Sequence, residues 1–164
     1  MWEPDEIRLL RWFMRMAGVG LLIPGVIYLL SWPDTLRAFA AWTGPGLAPI
    51  PAALSIALLI VGGLSFILAR HARAGAAAAG FALLMGAWIH AQWAAIMHQR
   101  LGMIPESITD QQRAMLEDTI QFAANAQIPH ILKNLVLVGV CGVVFILGPR
   151  LCGSRVRPRG ETGE

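Results

Sequence analysis

The stretch Gly75-Ala-Ala-Ala-Ala-Gly-Phe-Ala-Leu-Leu-Met-Gly-Ala-Trp-Ile-His-Ala-Gln-Trp-Ala-Ala-Ile-Met-His98 runs for 24 residues without an Asp, Glu, Lys or Arg. As a helix rising about 1.5 Å per residue it crosses a hydrocarbon core of about 30 Å with some length to spare. It shows none of the period-2 alternation of a lipid-facing barrel strand, so the crossing is helical. Its first half is wholly apolar and mostly Ala and Gly; its second half carries His90, Gln92, His98 and two tryptophans.

Three more apolar runs have the same character, and the sequence predicts an all-α, integral membrane four-helix transmembrane bundle. The spans cover about 9–31, 51–69, 75–98 and 130–148. They form one domain over 1–150, ahead of a polar, disordered cytoplasmic tail over 151–164. The composition agrees: 56% hydrophobic residues, 14% charged residues and a mean hydropathy of +0.59 lie outside the range of a soluble domain. Acids before the first arginines, and no small-residue cleavage pattern, predict that the first span is retained rather than removed as a signal peptide.

The net charge of +3 does not point to nucleic acid, because the basic residues sit at the ends of apolar runs and not on one continuous face. Membrane lipids, through their anionic head groups, are the expected partner. With four crossings, Arg8, Arg11, Arg15, Arg70, Arg73, Arg150, Arg155, Arg157 and Arg159 fall on one side. Arg37, Arg100, Arg113 and Lys133 fall on the other. Nine against four places both termini in the cytoplasm; the membrane is expected to be a bacterial inner membrane.

The connections carry their own signals. Pro33 and Asp34 predict a short interfacial helix from Trp32 to Trp42, ended by Thr43-Gly-Pro-Gly46. Thr109 and Gln112 have the spacing of a capping box, which opens an amphipathic helix over the second outer loop, with Leu116, Ile120 and Ala123 on one stripe. Pro129 precedes the fourth span and Pro149 stops it. Pro24 predicts a kink in the first span. Gly18, Gly20 and Gly25 in that span, Gly62 and Gly63 in the second, and Gly139 and Gly142 in the fourth predict close helix approach. Cys141 and Cys152, about 16 Å apart along one helix, form no disulfide and no redox motif.

Ionisable groups inside a span cost about 2.5–3.5 kcal/mol each, so each needs a reason. Arg15, one turn inside Arg11, either snorkels to the cytoplasmic phosphates or shapes a ligand pocket. His98 ends the third span and His130 begins the fourth, which predicts neighbours at the outer rim. With Met97 and Met103 nearby they offer nitrogen and sulfur to copper. His90 lies about 12 Å deeper by helical rise, alone, with Leu137 and Val138 at its expected depth; intrinsic bis-His haem is therefore disfavoured. Gly86, His90, Trp93 and Met97 share one stripe. That stripe suits either a quinone head group, with His90 bonded to a carbonyl, or an interhelical hydrogen bond from His90. Lys133 snorkels outward, and Asn134 bonds to another helix.

The layout resembles the DoxX-like family of small four-span membrane proteins. The resemblance rests on the arginine-flanked first span from Arg11 to Gly25, the Pro-bearing outer loop and the Gly-Gly second span ending at Arg70. The polar outer half of the third span and the opening Leu132-Lys-Asn-Leu-Val-Leu-Val-Gly139 of the fourth complete it. It covers about Leu9 to Leu147. It implies an accessory subunit of a quinone-linked membrane redox system, or a non-catalytic assembly subunit that docks another membrane protein or redox complex through the outer amphipathic loop. It brings no catalytic motif with it.

Overall fold

A computed structural model describes residues 4–151, and every regular element in it is a helix. They are α1 (Pro4–Leu30), α2 (Trp32–Thr43), α3 (Pro49–Ile67), α4 (Ala72–Leu101), α5 (Asp110–Asn125) and α6 (Gln127–Leu151). Four segments are long and apolar enough to cross a membrane: Asp5–Leu30, Pro49–Ile67, Ala72–Leu101, and Asp110–Gly148 taken across α5 and α6. Many of their large apolar side chains face outward, with Leu30 80%, Ile146 71% and Val136 67% exposed, so this surface calls for apolar surroundings.

The chain divides into two compact units. One takes the chain up to Ala82 together with Gly139 onward; the other is Leu83–Val138. The boundaries fall inside α4 and α6, each of which runs through both units.

In the first unit, backbone contact sets the spacing of α1 and α3. A Cβ on Gly18 would lie 2.7 Å from the Gly63 carbonyl oxygen, and one on Gly63 would lie 2.8 Å from the Gly18 oxygen, so neither position has room for a side chain. Gly25 packs on Leu59 and Ile60 in the same seam. Gly62 does the same on α4, where its Cβ would meet Ala79 at 2.6 Å. Among the described residues, nothing lies within 4 Å of the Cβ position of Gly20, Gly139 or Gly142, where close approach was expected. Spacing alone could not separate the packed face from the open one.

The short connections follow from local chemistry. Thr35 is buried and its hydroxyl donates to the Tyr28 carbonyl at 3.0 Å, tying α2 to the end of α1. Gly44 closes α2 at φ 82°, in the left-handed region that costs glycine least. Between α3 and α4, Ala69 and His71 both hold φ 50° without being glycine, at about 1–2 kcal/mol each. The hairpin is that tight because only 68–71 separate the two helices.

Proline behaves differently at the two ends of α6. Pro129 lacks the N–H that would bond Asn125, so the α5 ladder breaks there, and the single residue Ala126 separates α5 from α6. Pro149 was expected to stop the helix, yet α6 continues to Leu151. The carbonyl that Pro149 leaves without its i+4 donor is that of Phe145, and Arg73 Nε donates to it at 3.0 Å. A side chain thus replaces the missing backbone donor. Leu151 closes α6, and the tail expected from there lies, from 152 to 164, outside the described residues.

Candidate functional site

The second unit contains the densest polar cluster that the sequence pointed to. Along α4, Gly86, His90, Trp93 and Met97 are all half-buried, as one stripe of a helix should be. Along α6 runs a second stripe, Gln127, His130 and Asn134, spaced i, i+3, i+7. The two meet rung by rung. His90 stacks on His130 with ring centroids 4.8 Å apart and planes 13° from parallel. One turn along, the Asn134 amide nitrogen lies 2.8 Å from where a Gly86 Cβ would be.

This register corrects the expected pairing. His130 was expected beside His98, with His90 alone. Instead His90 has the partner, while His98 is exposed two turns farther along α4. The expected register is off by eight residues, about 12 Å of helix. Matching the polar ends of two apolar runs places α6 too far along, because α4 continues past its apolar stretch to Leu101.

Gln127 fixes the chemistry of His90. Its Nε2 donates to the Ala123 carbonyl at 3.2 Å, near the end of α5, and its Oε1 lies 2.8 Å from His90 Nδ1. A carbonyl only accepts, so the amide nitrogen must face Ala123, and the amide oxygen must face the imidazole. In the neutral ring the proton therefore sits on Nδ1, and Nε2 holds the lone pair. The interhelical hydrogen bond that was one of the two alternatives for His90 is present, from α4 to α6, and the free nitrogen of the neutral ring is an acceptor, not the donor that a quinone carbonyl needs. Asn134 is buried, 8% exposed, and no hydrogen bond reaches its amide from the described residues, in place of the expected interhelical bond.

The stack bears on metal chemistry. Two imidazoles stacked within 13° of parallel hold their lone pairs in two separate, nearly parallel planes, so no single ion lies in the plane of both rings, as good coordination by each would need, while the stack holds. His98 and Met103 are both exposed, and the described residues contain no group of three or more His, Cys, Asp or Glu able to hold a metal ion. Arg15 lies on α1 in the first unit, where its side chain is exposed.

Sequence reasoning missed Gln127, although a signal was present. It shares its stripe with His130 and Asn134, matching the stripe of α4, and its i−4 neighbour Ala123 sits in the last turn of α5, where carbonyls lack partners. The chain matches no family model, no curated protein and no solved structure.

Proposed function

We propose that the chain is a four-crossing integral membrane subunit of a quinone-linked redox system, and that it binds the reduced carrier, a quinol, on the α4–α6 seam of its second unit. The observation that supports this reading is the locked tautomer of His90. Its Nδ1–H is engaged by Gln127, so Nε2 stands ready to accept a hydrogen bond from a hydroxyl. A quinol presents such a hydroxyl, and a quinone carbonyl does not. Trp93 and Met97, one and two turns along, supply the apolar and aromatic surface that a ring needs.

The membrane reading is supported by the four apolar segments, and the asymmetry of arginines supports an orientation with both termini on the cytoplasmic side; a bacterial inner membrane is the setting proposed for it. His90 then lies 18 residues into α4, about 27 Å from its cytoplasmic start and close to the outer boundary of the core. That position allows a carrier to exchange its protons with the outer aqueous phase. The DoxX-like layout is consistent with a subunit of this kind and rests on sequence alone.

The test is extraction of bound carrier from protein purified in mild detergent, with the wild type beside His90→Ala. The wild type is expected to retain quinol, and the variant to lose at least about five-fold in affinity, since removing a hydrogen bond in an apolar site costs on the order of 1–3 kcal/mol. Equal retention by both proteins contradicts the assignment.

One observation favours a second reading, a non-catalytic assembly subunit. On α5, Met115 and Phe122 lie seven residues apart on one side and are 66% and 77% exposed, a poor arrangement for a helix facing only water. The same purification separates the two readings, because an assembly subunit brings down a stoichiometric protein partner and no carrier.

A further inference from the structure

α1 carries a second feature that the quinol site does not use. Arg8, Trp12, Arg15 and Val19 follow one another at steps of four, three and four residues, which places them on one stripe of the helix. The whole stripe is exposed, with Trp12 at 54% and Val19 at 41%, and its flanks are exposed and apolar too, at Leu9, Phe13 and Met16. Trp12 and Phe13 pack edge to face, centroids 5.3 Å apart. Arg15 stands within this apolar surface, inside the segment Asp5–Leu30 that is long and apolar enough to cross a membrane. Among the described residues, no ion pair or hydrogen bond reaches Arg8 or Arg15, whereas Arg37 on α2 is paired with Asp34.

A guanidinium always carries its charge, so an exposed one on an apolar face needs an anion from outside the protein. The direction of the side chains identifies where that anion lies. Helical Cα–Cβ bonds tilt toward the N-terminus, so Arg15 extends back toward Trp12 and Arg8. Arg8 and Arg15 stand two turns apart on this stripe, about 10 Å by helical rise, with the indole of Trp12 between them, a residue at home at the head-group boundary.

We infer that this stripe is a binding site for an anionic phospholipid, with its phosphate held between Arg8 and Arg15 and its acyl chains laid along Phe13, Met16 and Val19. The inference rests on the membrane reading above. It is independent of the quinol site, and it gives Arg15 a role on the lipid face in place of one in a ligand pocket.

The test uses the full chain in phosphatidylcholine nanodiscs containing phosphatidylglycerol, released into detergent for native mass spectrometry. The wild type is expected to retain phosphatidylglycerol in preference to phosphatidylcholine. R8Q and R15Q should each lower that preference by about five-fold, the equivalent of about 1 kcal/mol per basic residue at a membrane surface. R15K should keep most of it, and R37Q, whose charge is already paired, should leave it unchanged. All three positions are exposed, so matched elution profiles and helical content establish that the variants fold. Excess soluble glycerol phosphate should not displace the lipid; displacement makes the site one for free phosphate esters and overturns the inference. A preference equal in wild type, R8Q and R15Q overturns it as well. Release of the chain from native membranes by alkaline carbonate is a different failure, that of the membrane reading.

Discussion

Gly63→Leu is expected to lower the midpoint of thermal unfolding strongly. The α1–α3 seam has no room at this position: the Gly18 carbonyl lies 2.8 Å from where the new Cβ must go, and the backbone of Leu22 lies 3.2 Å from it. These are backbone atoms and cannot turn aside as a side chain would, so the helices must separate. Overpacking costs about 1–3 kcal/mol where side chains yield, and a site closed by backbone belongs at the upper end, about 3 kcal/mol. Gly20→Leu on α1 is the control, because nothing lies within 4 Å of that position. A thiol-reactive or scattering-based melt in detergent reads both, and similar midpoints for the two variants contradict the packing described for α1 and α3.

The second large effect belongs to Gln127. Gln127→Leu leaves two polar groups without their partner, the Ala123 carbonyl and His90 Nδ1–H, each at about 1–3 kcal/mol where water does not reach. The imidazole then exchanges tautomers and turns freely about its stack with His130. Quinol binding is expected to fall at least about ten-fold along with stability. Gln127→Glu separates the two functions, since a carboxylate still accepts from Nδ1–H but has no hydrogen for Ala123. That variant should lose stability and keep most of the binding. If Gln127→Leu loses neither, the amide does not orient the ring.

How much of this was legible beforehand depends on what kind of information sequence carries. The apolar segments, the helix at Trp32–Thr43 and the capping box at Thr109 and Gln112 were readable because each depends on residues within a turn or two of one another. The stripe Gly86, His90, Trp93, Met97 was readable for the same reason. The partner of that stripe was not. Pairing His90 with His130 requires the register of α4 against α6, and polarity at the ends of apolar runs does not encode register when a helix outruns its apolar stretch, as α4 does. Pro129 and Pro149 show the same limit. Each removes one hydrogen bond, but whether the helix ends depends on a donor from elsewhere: the ladder breaks beside Pro129, whereas Arg73 carries α6 past Pro149. The glycines of α1 differ only in what they face, and that too is a fact of packing.

The central claim is that His90 presents Nε2 as an acceptor to a quinol hydroxyl. The most direct measurement is the ¹⁵N spectrum of the His90 imidazole in nanodiscs, taken alone, with quinol, and with the matching quinone. Without ligand, Nδ1 is expected to give the signal of a protonated ring nitrogen and Nε2 that of a lone-pair nitrogen. Quinol should shift Nε2 toward the protonated position, and quinone should leave it in place. Protonation on Nε2 without ligand, or a response to quinone and none to quinol, contradicts the claim.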